Sequence, residues 1–509
     1  MFKAGSWLLI LFFLLAVSRQ ACASGAGAPY FTDLGQFNYA KFLMDEGEYR
    51  TAAREFGRLI ESFPGSQLIS EAQFRMAEAY LYSGEYREAE AQFRLYISNF
   101  IDSPFSIVAE IKMQEARDKL KKVSPQPALP EIYREMRPNL RAVQVMLFEG
   151  KDNREMGREM DRLKDAGIDT IIVRAFHNSG DRFYPAASPA EKRGVYFRSN
   201  HSLVVDDLLP KVIELAHARG LKVFAWMTTR YADYGIEDNA ELACVAYDIR
   251  NMEYGRCKGL DLFNEKSLER LDKIYSDLAD NAIDGVLFQD DLVMRHNEGL
   301  GKIARALFEK DTGSPLDPEA LYIRTEEGKV HYTELFWKWA SWKNRRLVNA
   351  AERLKRVVRA KRPTAVFAIN LMYESVTNPP YALAWLSQDL SEALRADFDY
   401  FSIMAYHRQI GEELEKPIPE VRDMIVKMAN DASIAVGESK RVLIKIQTID
   451  WRTGSKLSDE EVVDIIREIK GAGDFSLAVV PYRVDFPFNE LAAGKVALAG
   501  PHTGAGVKQ

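Results

Sequence analysis

An α/β fold preceded by a small all-α region is what this sequence predicts, and three observations predict it. Eight short apolar runs between residues 140 and 492 are each separated from the next by an amphipathic helical pattern, the alternation that builds a parallel sheet with helices outside it. Residues 36–123 carry an internal duplication at an offset of 37. Between the two regions Ser124-Pro-Gln-Pro-Ala-Leu-Pro130 breaks the helical pattern, so residues 124–139 read as a linker. Eight β/α units over about 350 residues fit a (β/α)8 TIM barrel with enlarged loops. An open doubly wound sheet is disfavoured, because no glycine-rich dinucleotide fingerprint follows the first run.

The chain starts with a segment outside either fold. Lys3 gives a positive start, Trp7 to Val17 is nearly unbroken apolar sequence, and Ala21-Cys22-Ala23 is a small-residue cleavage site, so residues 1–23 read as a signal peptide. Its apolar core of about 11 residues is too short for a membrane span of about 20. A lipoprotein signal acylated at Cys22 is the alternative, and Arg19-Gln20 lacks the small or aliphatic residues such a signal needs. The mature chain is expected to be periplasmic or secreted, without a transmembrane span. Only Cys244 and Cys257 then remain, either as a local disulfide or as two free thiols.

Composition excludes several classes of function. With 509 residues, 47% hydrophobic and 28% charged, the chain is neither disordered nor collagen-like. A net charge of −6 supplies no basic field for nucleic acid.

In the first region Gly47-Glu48-Tyr49-Arg50 recurs as Gly84-Glu85-Tyr86-Arg87, and Ala40, Phe56 and Phe63 recur as Ala77, Phe93 and Phe100. A small residue, a Gly-x-Tyr turn and a large apolar residue in the following helix form the tetratricopeptide pattern, whose usual period is about 34. The longer period here points to a long turn at Phe63-Pro64-Gly65-Ser66, and residues 105–122 read as a closing helix. Such arrays offer a surface on which a protein partner or ligand docks.

The eight strand candidates are Arg141–Glu149, Asp169–Phe176, Lys222–Thr228, Gly285–Asp290, Ala365–Leu371, Tyr400–Tyr406, Arg441–Thr448 and Phe475–Tyr482. Residues 140–492 would form the barrel and 493–509 a flexible tail. Barrel active sites lie at the C-terminal ends of the strands. Carboxylates, amides and aromatic side chains share that rim, as a carbohydrate cleft requires. Asp284-Gly-Val-Leu-Phe-Gln-Asp290-Asp291 ends a strand in two adjacent carboxylates. In extended geometry the two point to opposite sides, so one faces the substrate and the other caps an element or holds an arginine. Trp226 is a sugar platform or barrel core. Tyr406-His407 is a substrate contact or a buried pair. Asp450 and Trp451 fit a cleft wall, and His177 and Tyr482 complete the expected substrate contacts. Trp337, Trp339 and Trp342 share one helix and read as core or interdomain packing. No ligand set accompanies the aspartates at metal-site spacing, so neither a metal nor another cofactor is expected.

Together with Lys222-Val-Phe-Ala-Trp-Met227, Leu260-Asp-Leu-Phe263, Ile274-Tyr-Ser-Asp-Leu-Ala279 and Phe401-Ser-Ile-Met-Ala-Tyr406, the strand-four run resembles glycoside hydrolase family 153 over roughly residues 140–490. That family is the C-terminal domain of PgaB-type periplasmic poly-β-1,6-N-acetylglucosamine deacetylases. The resemblance implies a TIM barrel that binds, and in characterised members cleaves, partially deacetylated poly-β-1,6-glucosamine during biofilm matrix export. It places Asp290 and Asp291 at the family's aspartate pair. Gln289 stands where the family has histidine. His296 stands where a further carboxylate is expected, with Glu298 the nearby acid. Asp290, Asp291 and Glu298 are therefore the candidate catalytic residues. No His-x-x-x-His pair of a zinc deacetylase is present, and the repeats occupy that domain's place. A non-catalytic polysaccharide-binding or export scaffold is the competing reading.

Overall fold

The computed structural model describes residues 32–122 and 138–492, apart from 101–102, 104, 235, 237–238, 250 and 325–329. The expected signal peptide, nearly all of the linker and the expected tail lie outside the described residues.

Five helices come first: α1 (Asp33–Asp45), α2 (Tyr49–Ser62), α3 (Ile69–Tyr82), α4 (Tyr86–Asn99) and α5 (Ser106–Lys122). The duplication in sequence is a duplication in packing. Phe37 meets Phe56 edge-on at 5.6 Å, and Phe74 meets Phe93 edge-on at 5.9 Å, each pair 37 residues from the other. Ala40 and Ala77 are fully buried, leaving room for the neighbouring helix to approach. The helix-joining turns need a left-handed residue, and Gly47 and Gly84 supply it at φ 77° and 82°.

The barrel strands are β1 (Arg141–Val145), β2 (Thr170–Arg174), β3 (Lys222–Met227), β4 (Gly285–Phe288), β5 (Val366–Met372), β6 (Tyr400–Met404), β7 (Val442–Gln447) and β8 (Ser476–Val480). They form a closed parallel barrel in chain order, with β8 pairing back onto β1 through Ala142 and Ala478. Both faces of each strand are covered, which is why the strands read as unbroken apolar runs. Ala142, Ile172, Phe224, Leu287, Ala368, Leu443 and Ala478 fill the inside. Their neighbours Val143, Ile171, Val223, Val286, Phe367, Ile444 and Val479 face the helical shell. Side chains alternate in and out along every strand.

Long loops follow β3 and β4. The first contains the hairpin Ala243–Asp248 with Glu253–Leu260, tied by a disulfide between Cys244 and Cys257. Among the described residues no helix is long and apolar enough to cross a membrane.

The repeats and the barrel are in direct contact. Helix Glu334–Lys361 offers Trp337 to Tyr39 of α1 at 5.3 Å, while Trp339 and Trp342 pack on Phe308 and Phe263. Arg58 of α2 donates to the Val376 carbonyl beyond β5 at 3.1 Å, and Glu48 pairs with Arg395.

Candidate active site

The two aspartates after β4 part company. Asp291 is 1% exposed and accepts four hydrogen bonds, from Thr228 Oγ1 (2.6 Å), Thr229 N (2.8 Å), Thr229 Oγ1 (2.8 Å) and Tyr231 N (2.8 Å). Its carboxylate therefore fixes the loop leaving β3. Asp290 turns instead into a small cavity at the barrel mouth, walled by Met372, Tyr373, Met404, Tyr406 and Gln409. Burial pushes the Asp290 carboxyl up, the ammonium of Lys445 pulls it back, and Asp291 pushes it further up.

Lys445 reaches inward from β7, is 1% exposed and donates to Asn370 Oδ1 of β5 at 3.2 Å. Burial lowers it to about 8, against the pull of Asp290. Around it the barrel leaves buried polar atoms without a hydrogen-bond partner in the chain: Gln144 Oε1, Trp226 Nε1, Asn370 Nδ2 and Ser402 Oγ. Buried polar groups are nearly always paired, and these four lie on β1, β3, β5 and β6 in an otherwise apolar barrel interior.

Tyr406 and Trp451 stand at this mouth, their rings 5.5 Å apart, within an apolar cluster with Met372, Met404 and Ile449. Trp451 also lines an adjoining surface groove with Arg408, Glu412, Lys416 and Asp450. Asp450 itself accepts from the backbone of Arg452 (2.8 Å) and Thr453 (3.1 Å), which closes its turn. Trp226 lies within the inner barrel cluster beneath.

Other candidates face elsewhere. Glu298 accepts from the fully buried Arg230 at 3.2 Å and from the Arg295 N–H at 3.1 Å. Arg230 also donates to the Lys258 carbonyl (2.7 Å) and the Cys244 sulfur (3.4 Å), so the two loops and the hairpin are knotted together. Glu298 lies beside both cysteines, but their sulfurs are bonded to each other. His177 is fully buried, accepts or donates at Nδ1 with the Tyr196 hydroxyl (2.7 Å) and stacks on Phe183. Burial, with Arg174 nearby, lowers it to about 4. His407 is fully buried against Glu461 at 2.8 Å. Tyr482 packs on Phe148 and Phe488, with Glu159 raising its hydroxyl further after burial.

A second acidic group borders the cavity. Glu413 accepts from the cavity residues Tyr373 (3.0 Å) and Gln409 (2.8 Å). Burial and the Glu413 carboxylate push the neighbouring Glu374 well above the usual carboxylate range.

This mouth sits on a recognisable domain: residues 149–479, well over half of the chain, match the family described as hypothetical glycosyl hydrolase family 13. The chain belongs to that family. Its structure is similar to the PgaB (BpsB) glycoside hydrolase domain from Bordetella bronchiseptica, with a TM-score of 0.56 and 24% identity, over 68% of this chain and 94% of that one. It is also similar to the catalytic domain of a beta-amylase from Paenibacillus polymyxa, with a TM-score of 0.45 and 11% identity, over 69% of this chain and 92% of that one. No curated protein matches the chain. For this member of the hypothetical glycosyl hydrolase family 13 the first likeness bears on the fold, and the site rests on its own geometry.

Lys445, Arg230 and Glu413 join the site or its frame without being among the candidates the sequence offers. Lys445 carried a visible signal, a lone cation at an inward position of the otherwise apolar run Val442-Leu-Ile-Lys-Ile. Arg230 and Glu413 carried none, since their partners are remote in sequence.

Proposed function

We propose that the chain is an exported glycoside hydrolase acting on an amino-sugar exopolysaccharide, partially deacetylated poly-β-1,6-N-acetylglucosamine being the substrate to test first. The observation that carries this reading is Asp290, a desolvated carboxyl group in an aromatic-walled cavity at the mouth of a glycosyl hydrolase barrel. Such cleavage needs a carboxylic acid that protonates the glycosidic oxygen as the C–O bond breaks. It needs a carboxylate facing the anomeric carbon, where water adds and gives up a proton. Glu374, with its proton held by burial, is the donor beside the cavity wall, and Asp290 is the facing carboxylate. Tyr406 and Trp451 provide ring faces for the sugar. The helical repeats are the docking surface for a protein partner.

The scaffold reading has one specific observation in its favour: Asp291 and Glu298 are both engaged in holding loops. Incubating the full chain with partially deacetylated poly-β-1,6-N-acetylglucosamine, and reading released oligosaccharides by mass spectrometry, separates the two. Product that disappears in Asp290→Asn supports the hydrolase. Glycan binding without product supports the scaffold.

A further inference from the structure

A lysine inside a barrel core needs an explanation, because a buried ammonium is costly unless an anion or strong acceptors surround it. Lys445 has one hydrogen-bond acceptor, Asn370 Oδ1 at 3.2 Å, and a ring neighbour in Tyr406, 6.0 Å from its Nζ to the centroid. The carboxylate whose field reaches it is Asp290. Asn370 in turn is held at its backbone carbonyl by Gln388 at 3.2 Å, and Gln388 accepts from Met372 N at 2.9 Å, so the lysine's support is itself anchored in the cavity wall.

We propose that Lys445 is a positioning residue whose ammonium favours the carboxylate form of Asp290, so that Asp290 faces the positive charge developing on the sugar and does not protonate the leaving oxygen. This rests on the hydrolase reading and assigns a role within that same site. The groups facing Asp290 agree with it. Lys445 comes from β7, Lys258 from the disulfide-tied hairpin, Asp291 from the same turn and Tyr406 from the end of β6, while Tyr373 walls the cavity with its hydroxyl on Glu413. Lys445 is the nearer-acting of the two cations, and Lys258 already lies over the Tyr231 ring at 3.9 Å. Tyr373 and Tyr406 hold their protons far above neutral pH through burial, so they add no competing charge.

The direction of the effect follows. Lys445 lowers the proton affinity of Asp290, so removing it raises that affinity, and any rate that needs the carboxylate is then lost at a higher pH. The experiment takes the full chain as wild type, Lys445→Met and Lys445→Arg, with Asp290→Asn for assignment. Asp290 is titrated directly through its 13C-labelled side-chain carboxyl signal, and oligosaccharide release is followed from pH 4 to 9. In Lys445→Met the Asp290 midpoint should rise by about one pH unit or more, with the acid limb of the rate moving alongside, and Lys445→Arg should restore it. An unmoved Asp290 midpoint in Lys445→Met overturns the proposal, as does a rate that falls equally at every pH. A folded wild type that gives no product at any pH defeats the hydrolase reading alone, because the carboxyl titration still decides whether Lys445 controls Asp290.

Discussion

The two sides of the barrel mouth treat their polar groups differently. On the β3–β4 side the charged groups tie loops together: Asp291 accepts four hydrogen bonds, and Arg230 joins Glu298, the Lys258 carbonyl and Cys244. On the side formed by β5, β6 and β7, Asn370 Nδ2 and Ser402 Oγ lack partners within the chain, and Asp290 faces a cavity walled by Met372 and Met404 from the ends of β5 and β6. One side is framework and the other carries the proposed site. Neighbouring aspartates of identical chemistry fall on opposite sides of that division, so what distinguishes them is the number of donors each already has.

The most severe way to test the division is to neutralise each aspartate in turn. Asp290→Asn should lower oligosaccharide release about a thousandfold. Its unfolding free energy should change by less than about 1 kcal/mol, because Lys445 can shed its proton once its anion is gone. Mass-spectrometric product counts and urea unfolding of the same preparation read both effects. An active Asp290→Asn would mean the chemistry lies elsewhere.

Asp291→Ala should do the reverse. It strips the partner from two backbone N–H groups, one buried and one partly buried, and from two buried hydroxyls, and should cost about 4 kcal/mol in urea unfolding. Wild-type stability in this variant would place Asp291 in the site and erase the contrast. The hairpin gives a smaller effect on the same side. Cys244 and Cys257 are separated by 13 residues, and opening a loop of that size should lower stability by about 3 kcal/mol in the chain-entropy model. Comparing Cys244→Ser/Cys257→Ser with wild type in urea checks this, and an unchanged midpoint would show that Arg230 alone holds the hairpin.

Much of this was legible in the sequence, for physical reasons. Parallel strands buried on both faces are mostly apolar, so runs such as Thr170–Arg174 and Ser476–Val480 stand out between amphipathic helices. The strands end earlier than the apolar runs do: β4 stops at Phe288, because Gln289 to Asp291 bend away to form the turn that separates the two carboxylates. The repeat was visible because equivalent residues fill equivalent holes, Phe56 and Phe93 being fully buried. The division of the mouth was hidden. Whether Glu298 is available for catalysis depends on Arg230, 68 residues away in sequence, and no local pattern announces a contact between loops. His177 and His407 look alike as polar residues at strand ends, yet both are fully buried among partners supplied by distant segments, Tyr196 and Glu461.

The His407 pair supplies the mildest and most discriminating test. Glu461 accepts from His407 Nε2 at 2.8 Å and from Arg408 Nε at 2.7 Å. These bonds, with His407 first, hold its carboxyl down to about 2. A carboxyl group held below its unfolded value near 4.3 contributes stability that is complete above that pH and lost as pH falls toward the folded value. Because the group is partly open to solvent, its contribution is about 1 kcal/mol. Glu461→Gln should therefore be about 1 kcal/mol less stable than wild type at pH 7, and the gap should close as pH falls through 4 toward 2, measured by urea unfolding at each pH. Oligosaccharide release at neutral pH should stay within about twofold of wild type, since neither Glu461 nor His407 reaches the Asp290 cavity. If release instead fell tenfold while stability held, the imidazole would belong to the substrate cleft.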